Sequence, residues 1–409
     1  MQDRPDRLDR RLTPRPLPGH LASAMLLWLS SRAALTSSSF ASPLSNAAGE
    51  PLRALALEVE RLGADRVAAA LDRELLRRAS GFAAGLEAYR RHPFRRPAAR
   101  VPVARREGAL RLLDYGRGGA GPTVLVVPSL INRYYVLDLL PEQSFLRHLA
   151  EAGLRPLVVD WGEPGAAERG FTLSDYIAGP LDRAMAQASA LAQGPVAVIG
   201  YCMGGLLALA LALRRSAETA CLALLATPWD FHAERQEQAQ LLGELAEWLP
   251  RFLDVSEPLP VSVIQTLFLA LDPFLAERKF IRFGSLDQAG TAARAFVAIE
   301  DWINDGVPLA RKVAVECAQS WYRDNVPARG LWEVDGRPVR APELGVPALV
   351  VLPRRDRIVP PRSAEPLASA IPGAEILRPP FGHIGMMASS GAPATVWQPI
   401  VQWLRARLG

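Results

Sequence analysis

The chain has 409 residues, 49% of them hydrophobic and 22% charged, with a mean hydropathy of +0.08. This describes a globular protein with a sizeable core, either one large domain with insertions or two modest ones, and excludes disordered and fibrous classes. The net charge of +5 and pI near 9.4 come from 47 Lys+Arg against 42 Asp+Glu, with the excess concentrated in the first 106 residues. An imbalance this mild, without interleaved aromatics, is no nucleic-acid footprint, though it suits an acidic ligand.

From the N-terminus, Ala24-Met25-Leu26-Leu27-Trp28-Leu29 forms a short apolar patch interrupted by Ser30, Ser31 and Arg32. It is too short to span a bilayer, and Asp3, Asp6 and Asp9 make a poor signal-peptide start. An amphipathic helix is expected, packed on the domain or lying on a hydrophobic surface. Helical spacing follows at Leu52, Leu55, Val59 and Leu62, then at Val67, Leu71, Leu75 and Leu76. Arg95-Arg96-Pro97 and Pro102 read as an extended connection. Residues 1–105 are therefore expected to be a helical N-terminal region whose first 20 residues are disordered.

From residue 108 short β-branched runs alternate with helices. Strands are predicted at Leu110–Tyr115, Thr123–Val127, Leu154–Trp161 (Pro156 weakens its start), Val196–Tyr201 and Ala220–Ala226. Helices are predicted at Ser144–Ala152 and Ser174–Ala192, the second bent at Pro180. Apolar strands separated by helices imply a mostly parallel sheet covered on both faces. Residues 231–342 break the rhythm with helical, aromatic-rich sequence and read as an inserted cap. Strands resume at Ala348–Leu352 and Glu375–Leu377, and a final helix covers Ala394–Leu408.

The chemistry centres on Gly200-Tyr201-Cys202-Met203-Gly204-Gly205, between the apolar run Val196–Ile199 and a helical stretch from Leu206. Strand, sharp turn and helix would expose Cys202 as a nucleophile, as α/β-hydrolases expose serine, and the helix N-terminus stabilises negative charge beside it. In that fold the order is nucleophile, acid, histidine. Of the five histidines only His383 follows the cap, in Phe381-Gly382-His383-Ile384-Gly385; His20, His92, His148 and His232 precede it. Asp356 ends a late strand in Leu352-Pro353-Arg354-Arg355-Asp356, a position that Asp160, Asp230, Asp301 and Asp305 lack. Backbone N–H groups of Met203 and Leu130 are the candidate oxyanion hole. Cys221 and Cys317 read as core residues. Three widely spaced cysteines without a CxxC pair give no disulfide framework and no metal site, and fit a reducing, cytoplasmic setting.

Further motifs extend this pattern: Pro128-Ser129-Leu130-Ile131-Asn132-Arg133-Tyr134-Tyr135-Val136-Leu137-Asp138-Leu139, Asp160-Trp161-Gly162, Phe171–Ile177, Ile299-Glu300-Asp301-Trp302-Ile303, Asp356-Arg357-Ile358-Val359-Pro360-Pro361 and Gly382-His383-Ile384-Gly385. With the cysteine turn, they resemble the polyhydroxyalkanoate synthase family, especially its short, class III catalytic subunit, over roughly residues 105–409. The resemblance departs after the acid, where the family commonly has histidine and this chain has Arg357. It implies an α/β-hydrolase fold, with residues 106–409 as the catalytic domain and the cap at about 231–342. Cys202 would then accept the acyl group, His383 act as base, and Asp356 orient His383 or assist an incoming hydroxyl. The implied reaction is polymerisation of (R)-3-hydroxyacyl-CoA through a cysteine thioester with release of CoA. No cofactor or metal is implied, since the CoA thioester is a substrate. The implied partners are the polyester granule surface, an accessory synthase subunit and further copies of the chain, with no nucleic acid and no transmembrane segment. The triad alone also fits a cysteine hydrolase, either an acyl-CoA thioesterase or an intracellular polyester depolymerase. A third reading is a non-catalytic, granule-associated or partner-binding protein.

Overall fold

The computed structural model describes residue 11 and residues 14–36, 50–97, 99–234, 236–252 and 257–409. They fall into two compact units, one of residues 1–95 with 262–304 and one of residues 96–261 with 305–409.

The second unit is built on an eight-stranded sheet. Its strands are β1 (Val103–Glu107), β2 (Leu110–Asp114), β3 (Thr123–Val127), β4 (Arg155–Asp160), β5 (Val196–Tyr201), β6 (Thr219–Leu225), β7 (Ala348–Val351) and β8 (Glu375–Leu377). The spatial order is β1-β2-β4-β3-β5-β6-β7-β8. β2 is antiparallel to both β1 and β4, and every other neighbouring pair is parallel. β3, β5 and β7 are buried at every position, as expected for β-branched strands covered on both faces. β1 is the exception. It carries Arg105, Arg106 and Glu107 on the sheet edge, where charged side chains reach water, and no strand is predicted there, just after the extended connection read at Arg95–Pro102.

Register places the chemistry. Tyr201 pairs with Leu225, Leu225 with Val351, and Val351 with Leu377, so four strands end in one row. The ladder continues one residue further: Cys202 N–H donates to Leu225 O (2.8 Å), Ala226 N–H to Val351 O (2.9 Å) and Leu352 N–H to Leu377 O (2.8 Å). The loops leaving β3, β5, β6, β7 and β8 therefore emerge together at the carboxyl ends of parallel strands, where such sheets bind their ligands. Behind them the helix Met203–Arg214 is buried along ten consecutive residues, which explains its apolar run without a polar face. The helix after Thr172 kinks at Gly179-Pro180, as predicted, and restarts at Asp182.

In the first unit the helices Leu17–Thr36, Glu50–Leu62 and Ala64–Arg91 join Leu275–Gly284 and Thr291–Asn304. Phe82, Tyr89, Phe280, Phe283, Ala293 and Val297 form its core. Gly85 allows two helices to meet, because a Cβ there would lie 1.9 Å from Phe280 O. Arg11 is buried against Tyr89 O (2.9 Å) and Asp301 (2.9 Å), and Tyr89 OH donates to Asp301 (2.7 Å). Of the 20 residues expected to be disordered, 1–10, 12 and 13 lie outside the described residues, while Leu17–His20 already form helix. Among the described residues no helix is long and apolar enough to cross a membrane. The helix Leu17–Thr36 leaves Met25, Leu26 and Leu29 exposed.

Candidate active site

Cys202 occupies the turn between β5 and the following helix with φ 57° and ψ −130°, a conformation that costs a non-glycine residue energy. Its neighbours must be glycines. A Cβ on Gly204 would stand 2.2 Å from Val127 O, one on Gly205 1.8 Å from Thr227 Oγ1, and one on Gly200 2.4 Å from Gly205 Cα. The turn stays pinned because Gly205 N–H donates to Cys202 O (2.9 Å).

His383 and Asp356 meet in the loops after β8 and β7. His383 Nδ1 lies 2.7 Å from Asp356 Oδ2, and both side chains are buried. The other carboxylate oxygen, Oδ1, accepts the N–H groups of Ile358 and Val359, each at 2.9 Å. This fixes Asp356 from both sides. Burial alone would lower the His383 pKa, but the negative charge of Cys202 and of Asp356 raises it to about 10. His383 and Asp356 are thus a buried pair, and the imidazole stands near two groups that favour its charged form.

The other acids are engaged elsewhere. Asp160 pairs with Arg111, Asp230 accepts from Asn325, Asp301 holds Arg11 and Tyr89, and Asp305 holds Arg133 and Tyr135. His92 Nε2 meets Gln288 O and His232 Nε2 meets Tyr322 O, so His383 stands apart in facing a carboxylate. Cys221 is buried, and burial pushes its thiol up to about 12; burial likewise pushes the Cys317 thiol up. Among the described residues no group of His, Cys, Asp and Glu could hold a metal ion.

Met203 is the first residue of its helix, so its N–H lacks an intrahelical acceptor. Leu130 lies in the loop after β3, which Gly204 approaches at Val127 and Pro128. Trp161 Nε1–H donates to Pro128 O (3.0 Å), and Ser129 Oγ accepts from Ile131 N–H (3.2 Å). Beyond it, Asn132 bridges to Gly306, Val307 N–H donates to Ile131 O (3.1 Å), and Asp305 binds Arg133 Nε (3.0 Å) and Tyr135 OH (2.9 Å). The sequence reading missed two supports. Tyr201 OH donates to His383 O (3.1 Å) from beneath, and Asp305 ties down the Leu130 loop. Both act across long stretches of chain; Tyr201, inside the cysteine motif, was the only local signal.

This fold and site define an α/β-hydrolase, and the chain belongs to that family: the model of the alpha/beta hydrolase fold matches residues 122–389. The fold is shared with the BpoC protein of Mycobacterium tuberculosis, with a TM-score of 0.50 and 18% identity over 76% of this chain and all of that one. Within the family the chain is similar to the PhaC-type poly(3-hydroxyalkanoate) polymerases. It is 28% identical over 326 residues to the poly(3-hydroxyalkanoate) polymerase subunit PhaC of Haloarcula marismortui, covering 75% of this chain and 67% of that one. The PhaC of Allochromatium vinosum is 27% identical over 315 residues, 74% of this chain and 87% of that one. The PhaC of Haloferax mediterranei is 27% identical, and the chain spans 63% of its length.

Proposed function

We propose that this protein is a poly(3-hydroxyalkanoate) polymerase that elongates its chain on Cys202 from (R)-3-hydroxyacyl-CoA. The observation that carries the reading is the buried His383–Asp356 hydrogen bond, with Cys202 at the strained turn near enough to the imidazole to raise its pKa. In the first half-reaction the Cys202 thiolate attacks the thioester carbonyl. The negative charge that develops on oxygen is met by the N–H groups of Met203 and Leu130. The carbon–sulfur bond to CoA breaks, and the leaving thiolate takes the proton of the His383 imidazolium. The exchange of one thioester for another is nearly balanced in energy, so the acyl group stays activated.

In the second half-reaction neutral His383 removes the proton from the 3-hydroxyl of another acyl group. The resulting alkoxide attacks the Cys202 thioester, an oxyester forms, and the Cys202 thiolate leaves. The ester is lower in energy than the thioester, which drives growth. Asp356 orients His383 through Nδ1 and stabilises the imidazolium. The segment 231–342 acts as the cap that admits a hydroxyl and excludes water, and the protein works in the cytoplasm at the polyester surface, with an accessory subunit.

The test is to mix purified protein with (R)-3-hydroxybutyryl-CoA and follow CoA release and the acyl product, with and without a partner subunit. Insoluble polyester is expected, and Cys202→Ala abolishes it. Free 3-hydroxybutyrate without polymer would replace this reading by the hydrolase. No CoA release under either condition would replace it by the binding protein.

A further inference from the structure

The loop that carries Asp356 also carries a group of arginines that the reaction scheme leaves unused. Arg354 and Arg355 immediately precede Asp356, and Arg362 is the second residue of the helix Pro361–Ala370. All three are exposed, while the Asp356 side chain between them is fully buried. The loop is stitched to the histidine segment: Arg354 N–H donates to Pro379 O (2.9 Å) and Arg355 N–H to Phe381 O (2.9 Å). These two arginines therefore stand at the rim of the candidate site, one or two residues from a group that contacts His383.

Their charge is not neutralised locally. Several arginines in this unit are matched, as Arg155 is to Asp114 (2.7 Å), Arg147 to Asp138 (2.9 Å) and Arg133 to Asp305 (3.0 Å). Among the described residues Arg354, Arg355 and Arg362 have no carboxylate within 4.0 Å and no side-chain hydrogen bond. The acids in the same stretch are occupied: Asp356 by His383, Ile358 and Val359, and Glu365 by Arg378 (3.5 Å). Three like charges within nine residues repel one another unless an anion joins them.

We infer that Arg354, Arg355 and Arg362 dock the phosphate groups of the acyl-CoA donor. The inference deepens the polymerase reading and rests on it. An acyl-CoA that reaches Cys202 with its thioester must leave its nucleotide outside the buried triad, and that end carries a diphosphate and a further phosphate. Guanidinium groups bind phosphate oxygens through paired, charge-assisted hydrogen bonds. Placing them on the acid-bearing loop puts the recognition of the leaving group beside the machinery that releases it.

The test compares the full-length protein with the triple variant Arg354→Ala/Arg355→Ala/Arg362→Ala on two donors. One is (R)-3-hydroxybutyryl-CoA, and the other is the N-acetylcysteamine thioester of the same acid, which lacks the nucleotide. The ratio of kcat/KM for the first donor to that for the second should fall by about tenfold or more, chiefly through KM, and its salt dependence should flatten. A ratio unchanged within twofold overturns the inference, as does an equal loss on both donors. Calorimetry with desulfo-CoA keeps the inference separate from the polymerase reading. Binding by the wild type that is lost in the triple variant supports the docking site even if neither donor is turned over, and equal binding by the two proteins overturns it.

Discussion

Asp356→Asn separates two roles for the acid, because its two oxygens do different things. Oδ1 accepts two backbone N–H groups, and the asparagine carbonyl can keep both. Oδ2 faces His383 Nδ1 at 2.7 Å, and there the substitution presents an NH2 group. The imidazole must then offer Nδ1 as acceptor and hold its proton on Nε2, the nitrogen that in the proposed reaction exchanges protons with sulfur and with the incoming hydroxyl. One of the two groups that raise the His383 pKa is lost as well, leaving burial to oppose Cys202 alone.

In serine triads the same substitution costs about 10⁴ in turnover through the tautomer, and a loss of about 10³–10⁴ is expected here. The fold should survive, since the Oδ1 contacts remain. The assay takes enzyme in excess over (R)-3-hydroxybutyryl-CoA and times the first release of CoA, then measures polymer growth at steady state. Both should fall together. If acyl loading keeps its rate within about threefold while growth collapses, Asp356 acts on the incoming hydroxyl and not through His383, and the orientation argument is refuted.

Gly204→Ala should help on helix propensity alone, by about 1 kcal/mol, yet destabilise the protein by about 1–3 kcal/mol, because the Cβ would stand 2.2 Å from Val127 O and push the Leu130 loop away; thermal melts and acyl loading should fall together. Asp305→Ala removes an ion pair in which the aspartate is 44% exposed, so the melting temperature should hardly move, while kcat should drop by about tenfold with KM little changed as the Leu130 loop loosens, and Asp305→Glu should recover part of it. For His383 the folded pKa, about 10, exceeds the unfolded value of 6.5, so the native state binds the extra proton. That stabilisation is complete below about pH 6.5 and is lost as pH rises through about 10, so the gap in melting temperature between wild type and His383→Gln should narrow over this window; a gap that widens towards pH 10 would contradict the ion-pair assignment.

What the sequence disclosed follows the range of the forces involved. β3 and β5 were legible at their observed limits because a buried parallel strand must be apolar at successive positions, a local pattern. Cys202, Asp356 and His383 could be nominated for a related reason: each follows a strand in a turn or loop with glycine or proline nearby, and that pattern is written within a few residues. β1 was not, because an antiparallel edge strand keeps its charges in water, and Val103-Ala104-Arg105-Arg106-Glu107 shows no apolar run. The grouping of 262–304 with the N-terminal helices was also invisible. Phe280, Phe283 and Val297 show helical spacing wherever they pack, and no local signal says that Phe82 and Tyr89, some 200 residues earlier, complete their core. The supports of the site share this property. Tyr201 holds the backbone of His383 across 182 residues, and Asp305 holds Tyr135 across 170, so the sequence offered candidate chemical groups and not the groups that hold them there. Under the proposed mechanism a thiol and an imidazole must stay aligned through two half-reactions, which needs both kinds of group, so the long-range pairs are where substitution should change kcat without unfolding the protein.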